Sequence, residues 1–177
     1  PLGLEDALKM TLAHVRPLET ERINLLDGLD RILAEDMRAE VDSPSIDASL
    51  KDGYAVISQE VCDASPVHPI SLRLVGVMAA GGDNDIRVTP QSTVRVLTGA
   101  KIPPGADAVV AEEFTQASNG AILFHNNAEP GRNILPKSCD VACGQRVAQK
   151  GDLLTPGLVG LLAAGGHSQV GVTRLPR

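Results

Sequence analysis

The sequence predicts a mainly β protein with a few helices, an α+β chain. A β-rich, barrel-like lobe is inserted in a domain built from the two chain ends. Three observations lead there. Apolar residues fall at helical spacing only near the two ends. Residues 45–133 form a series of short apolar runs separated by turn residues. The 17 Gly and 12 Pro place many breaks along the chain, which favours short strands over long helices. The expected division is residues 1–44 with 134–177 as a discontinuous helix and strand domain, and residues 45–133 as the insert.

Leu4, Ala7, Leu8, Thr11, Leu12 and Val15 recur at helical spacing. Glu5 and Asp6 lie in the first turn, where the helix dipole favours them, and His14 and Arg16 lie near the end. Pro17 stops the helix. A second helical turn or two is expected around residues 27–33, with Leu26, Leu29, Ile32 and Leu33 on one side. The simplest destination for both apolar faces is the core; a second subunit is the other. Residues 38–44 read as extended, and Asp42-Ser43-Pro44-Ser45 as a turn and a hinge into the next module. Ile70, Leu72 and Leu74 alternate with Ser71 and Arg73, the pattern of a half-buried strand. Residues 80–85 read as a loop. Residues 93–97, 106–111 and 121–125 read as strands, with Ser118-Asn119-Gly120 as a hairpin turn. Residues 145–154 read as strand and turn. Thr155 and Pro156 form an N-cap and first-turn pair for a helix over 158–164, with Gly165 in the left-handed position after it. Residues 169–174 alternate again as a closing strand.

Composition limits the function classes. A hydrophobic content of 43% supports a globular core, and 2% aromatics leaves Leu, Val, Ile and Ala to fill it. A formal net charge of −6 argues against a nucleic-acid platform, which needs a basic face and, for single strands, stacking rings. The longest apolar run, 157–166, is too short to span a bilayer. Three cysteines, Cys62, Cys139 and Cys143, an odd number in a chain of this size, argue against a disulfide framework and fit a reducing cytoplasm. Cys139 and Cys143 lack further Cys or His in zinc-ligand range, and His14, His68, His125 and His167 are scattered, so no metal ligand is assigned. Walker, dinucleotide-binding and nucleophile-elbow motifs are absent from the sequence.

The stretch TGAKIPPGADAVVAEE, residues 98–113, organises the chain. Its first half is a turn-rich loop in which prolines fix φ and glycines reach positive φ. Its second half is a small, β-branched strand ending in Glu112-Glu113. A strand, an ordered Thr-Gly loop and a second strand can hold a polar side chain at a ligand site; the alternative is a turn capped by its own hydroxyl. Asp52 before Gly53 and Tyr54 carries the same pair of readings. Its carboxylate either bonds its own turn or faces a ligand. Tyr54, the one Tyr, reads as a core or interface anchor.

Three motifs, TGAKIPPGADAVVAEE, Asp52-Gly53-Tyr54-Ala55-Val56 and GRNILPKSCDVACG, occur in the order found in the molybdopterin molybdenumtransferases, and the sequence resembles that family, MoeA and the gephyrin E domain. The resemblance covers nearly the whole chain and implies the N-terminal region of such an enzyme, an elongated assembly of β-rich lobes followed by a molybdopterin-binding α/β domain. It implies insertion of molybdate into adenylylated molybdopterin with release of AMP and Mg²⁺ assistance, in a cytoplasmic homodimer. It implies catalytic roles for Asp52, Thr98 and Asp140 and cofactor contacts at Gly53, Gly99 and Arg132. This region would form one wall of the site and much of the dimer, and would be inactive by itself.

The chain also departs from the family pattern. Leu135 replaces an Arg, and Ser138-Cys139 replace Gly-Glu before Asp140; Arg132 and Lys137 lie nearby as substitute cations. Lys51 stands where an apolar residue usually precedes Asp-Gly, and Ala48 replaces an Asn. These changes leave a diverged paralogue, acting on tungstate or lacking insertion activity, as an alternative. A gephyrin-like dimerising scaffold is a second alternative and a free-standing ligand-binding β-module a third.

Overall fold

The computed structural model describes residues 3–82 and 85–176. In chain order the elements are α1 (Leu4–His14), β1 (Thr20–Asn24), β2 (Met37–Arg38), β3 (Ala48–Ser49), β4 (Gly53–Val56), β5 (Ile70–Met78), β6 (Ser92–Val96) and β7 (Ala108–Ala111). They continue with β8 (Thr115–Ser118), β9 (Ala121–Phe124), β10 (Ile134–Leu135), β11 (Arg146–Ala148), α2 (Pro156–Ala164) and β12 (Gln169–Thr173). The protein is mostly strand with two helices, as the sequence predicts. The middle of the loop expected over 80–85 lies outside the described residues.

Two compact units emerge. Pro1–Asp42 and Val141–Arg177 form the first, and Ser43–Asp140 the second. Residues 134–140, expected with the chain ends, belong to the second unit. The reason is pairing: β10 is antiparallel to β3, with Ile134 opposite Ser49 and Leu135 opposite Ala48.

In the first unit β1 pairs antiparallel with β12, and β2 with β11. Leu25, Leu33, Met37, Leu154, Leu162, Val170 and Val172 form its core. The α2 N-cap is the expected one: Thr155 accepts a hydrogen bond from Leu158 N–H, with Pro156 in the first turn. The C-terminus differs by one residue. Gly165 has an ordinary φ of −75°, and Gly166, at +97°, takes the left-handed place. Gly166 N–H bonds Ala163 C=O and His167 N–H bonds Leu162 C=O, which is a Schellman closure.

Two helical expectations are corrected here. Helix α1 forms, but none of its residues is buried, and Leu4 and Leu12 are 86% and 62% exposed, so its apolar face does not pack in the core. Of the one or two helical turns expected around residues 27–33, one forms, and it lies earlier in the chain. Leu25–Gly28 make a single 3-10 turn, and Asp30 at φ 61° breaks any continuation. Leu33 then enters the core through a bridge to Val172, while Leu26 faces solvent.

The second unit is a six-stranded sheet in the order β7-β4-β6-β5-β9-β8, curled into half a barrel. All pairs are antiparallel except β5 with β6. Strand β4 lies between β7 and β6 and is buried along its length. Tyr54 and Val56 enter one core with Leu72, Ile122 and Phe124, and Ala55 enters a second with Val94, Val96 and Val109. This two-sided burial explains why the central strands are small and β-branched rather than alternating with polar residues. Tyr54 meets Phe124 edge-on, with ring centroids 6.0 Å apart, so it is a core anchor. The hairpin between β8 and β9 turns on Asn119 and Gly120, both at positive φ. No helix among the described residues is long and apolar enough to cross a membrane.

Candidate functional site

Asp52 sits at the entry to β4, where its backbone is already fixed. Its carbonyl accepts Glu112 N–H at 3.0 Å, and the next residue, Gly53, pairs with both Ala111 and Val96. A Cβ on Gly53 would stand 2.2 Å from Val110 O, so this close approach of β4 to β7 requires glycine. Thr98 follows the end of β6, the strand paired with β4 on its other side. Adjacent strand ends thus bring the two residues together.

The contact is a clamp. Asp52 Oδ1 accepts Thr98 N–H and the Thr98 hydroxyl, each at 2.7 Å. Gly99, at φ 80°, turns the chain sharply and donates its N–H to Ser49 O at 2.8 Å, while Ala100 N–H closes the turn on Leu97 O. The loop is therefore tied to Asp52 on one side and to β3 on the other. The Thr98 backbone N–H, then its hydroxyl, hold the Asp52 carboxyl below its ordinary value, against a smaller opposing effect of desolvation; Arg95 adds a little in the lowering direction. Asp52 is exposed and ionised at neutral pH, and its Oδ2 has no hydrogen-bond partner among the described residues. Arg95 lies on β6 and pairs with Glu112 through two contacts of 3.0 Å from one nitrogen.

The six site residues expected from the sequence separate into three places. Asp52, Gly53, Thr98 and Gly99 meet at the ends of β4 and β6. Arg132 lies in a turn docked on the edge strand β7. Its carbonyl accepts Val109 N–H at 2.9 Å, and the Asn133 side chain donates to Val109 O at 2.8 Å. Arg132 lines a cavity of about 200 Å³ that Lys51, Asn126 and Asn127 also line and that neither Asp52 nor Thr98 reaches. Asp140 is exposed at the end of the second unit, where its N–H donates to Ser43 O and its Oδ1 lies 3.8 Å from Cys139 Sγ. Neither Asp52 nor Thr98 is among its hydrogen-bond partners among the described residues.

Sequence reasoning missed the Arg95–Glu112 pair. Its signal was faint: a basic residue within the apolar run of β6 and the first of two glutamates ending a strand. Among the described residues no group of three His, Cys, Asp or Glu side chains is placed to hold a metal. The Asp52 carboxylate, with one oxygen unused, fits a single ligand of a Mg²⁺ whose other ligands are phosphates and water, the way that ion is ordinarily held.

Residues 2–166 match the family model described as the MoeA N-terminal region, domains I and II. The molybdopterin molybdenumtransferase of Bacillus subtilis is 36% identical over 180 residues, covering 99% of this chain and 42% of the relative. That of Synechococcus elongatus is 36% identical over 179 residues, covering 99% and 44%. A crystal structure of the molybdopterin biosynthesis MoeA protein from Pyrococcus horikosii superimposes with a TM-score of 0.89 at 33% identity, over 98% of this chain and 44% of that one. The chain thus spans less than half the length of these relatives. A match over so much of the chain, in sequence and in fold, means that it belongs to the family of MoeA N-terminal regions.

Proposed function

We infer that this chain is the N-terminal part of a molybdenum cofactor biosynthesis enzyme that inserts molybdate into adenylylated molybdopterin and releases AMP. The carrying observation is the Asp52–Thr98 clamp, an exposed and ionised carboxylate held by two 2.7 Å hydrogen bonds on a rigid strand end. The reaction hydrolyses a phosphate anhydride and delivers a metal oxyanion to a dithiolene. Its demand is for positioning and charge placement more than for a nucleophile. Mg²⁺, when bound, would neutralise phosphate charge. Asp52 would orient it through the oxygen that Thr98 leaves unused, with Gly53 seating Asp52 by its close approach to β7 and Gly99 turning the loop that carries Thr98.

Asp140 would act from a separate surface, and Arg132 from its own cavity, each completing the site with residues of the longer parent, which the greater length of the relatives supports. The unburied apolar face of α1 supports a homodimer, since Leu4, Leu8 and Leu12 need a cover that the described residues do not supply. Three free cysteines are consistent with a cytoplasmic enzyme. The fragment alone would be inactive.

The test uses the full-length parent with adenylylated molybdopterin, molybdate and Mg²⁺, following AMP release and recovery of an apo-molybdoenzyme. Release of AMP coupled to that recovery is expected. Turnover with tungstate alone, or none with either anion, would replace this reading with the diverged paralogue.

A further inference from the structure

The cavity beside β7 has no part in the clamp, and its chemistry is different. Lys51, Arg132, Asn126, Asn127, Asn133 and Glu113 are its polar lining, with Val110 and Ala111 of β7 and Phe114 beside them. Two basic residues, Lys51 and Arg132, line one space of about 200 Å³, with Glu113 the one acidic residue beside them. Neither the Lys51 ammonium nor the Arg132 guanidinium has a hydrogen bond or ion pair among the described residues, and Glu113 bonds to neither. Like charges held at one concavity repel, and an anion between them relieves that repulsion.

The walls are fixed before any ligand arrives. Asn133 C=O accepts Leu50 N–H at 2.9 Å, which ties the Lys51 segment to the Arg132 turn. The Ser49 hydroxyl donates to Lys51 O at 2.6 Å. Gly131 N–H donates to Asp107 O at 2.7 Å, and the Arg132 carbonyl and Asn133 side chain are both bonded to Val109. Both cations therefore rise from backbone anchored to the sheet, and only side-chain freedom remains to be lost on binding.

We propose that this cavity is a binding site for one tetrahedral oxyanion of the phosphate class. Arg132 supplies a planar fork that suits two oxygens, Lys51 a point charge, and the amides of Asn126 and Asn127 neutral donors. The cavity is below the 300–1,000 Å³ typical of pockets for drug-sized ligands, so it takes a single anionic group. That group is either a free oxyanion or the phosphate of a larger ester whose remainder lies outside. The site stands apart from the Asp52–Thr98 clamp; it deepens the part given to the Arg132 cavity above, but its own lining carries it, so its failure and the failure of the transferase reading are distinguishable.

The test is a titration of the isotope-labelled chain with inorganic phosphate at low salt, followed by NMR at the side-chain amides of Asn126 and Asn127 and the backbone of Asn133. Saturable shifts at these three residues are expected, weakening as salt rises. Lys51→Met and Arg132→Gln should each weaken binding about tenfold, Lys51→Arg should restore it, and Asp52→Asn should leave it within about twofold. Both cations are exposed, so circular dichroism should report an unchanged fold. AMP in place of phosphate distinguishes the sources: competition at the same residues assigns the phosphate of an ester, and its failure beside phosphate binding assigns a free oxyanion. The absence of saturable shifts with both, or shifts that Lys51→Met leaves unchanged, would overturn the proposal. Neither result bears on AMP release by the full-length enzyme.

Discussion

Asp52 and Thr98 are 46 residues apart in sequence, yet one oxygen of the Asp52 carboxylate receives both hydrogen-bond donors of Thr98 at 2.7 Å. The register of β4 against β6, with Gly53 opposite Val96, makes the pair. The clamp leaves the second oxygen of this exposed, ionised carboxylate without a hydrogen-bond partner among the described residues.

The Asp52 carboxyl should titrate below an ordinary aspartate. Because the backbone N–H is the larger cause of the lowering, Thr98→Val should raise the midpoint only part of the way back. Carbon-detected NMR titration of the carboxyl measures both. A midpoint in Thr98→Val equal to that of a free aspartate would mean that the hydroxyl, not the backbone, holds the charge.

Acid should weaken the fold in a defined window. Asp36 is lowered chiefly by the Lys150 N–H and Asp52 by Thr98. A group whose folded pKa is depressed stabilises fully above its unfolded value and loses that contribution as pH falls through its folded value. Urea midpoints measured downward from pH 5 should fall for the wild type, and less steeply once both residues are Asn.

Gly53→Ala should be costly. The new methyl would meet Val110 O, a backbone atom that cannot rotate away, so β4 and β7 must part. The loss should reach the upper end of the ~1–3 kcal/mol typical of overpacking, read from urea unfolding. A variant as stable as the wild type would show that the β4–β7 spacing is wrong.

The two glycines after α2 should respond differently. Gly166 at φ 97° is in the left-handed region, and alanine there should cost about 1–2 kcal/mol. Gly165 at φ −75° is open to any residue, and a Cβ there finds nothing closer than 3.4 Å, so alanine should cost less. Thermal unfolding of the two variants side by side decides it.

Much of this fold was legible where the pattern was local. The alternation of Ile70, Leu72 and Leu74 predicts β5, Asn119-Gly120 predicts the hairpin, and Thr155-Pro156 predicts the start of α2. What failed depended on distant partners. The leucines of α1 announce an apolar face but say nothing of what covers it. Leu26, Leu29 and Leu33 mimic a helix that Asp30 prevents by turning left-handed. Strand β8, Thr-Gln-Ala-Ser, is a largely exposed edge with no apolar alternation to reveal it. The parallel pairing of β5 with β6 leaves no local trace at all. At the site, Asp52 and Thr98 were each distinguishable as polar residues on rigid turns. That they bond to each other, and that Lys51 and Arg132 share a cavity, follows only from strand register and loop docking.

The most direct measurement compares AMP release by the full-length parent and its Asp52→Asn variant, with saturating adenylylated molybdopterin, molybdate and Mg²⁺. Asn keeps the size of Asp52 and can still accept from Thr98, so fold and oligomeric state should be unchanged. The account predicts a fall in turnover of about a hundredfold or more, the scale for losing one charge-placing group at a reacting phosphate. Equal turnover in the two proteins would contradict it and reduce the clamp to a structural turn.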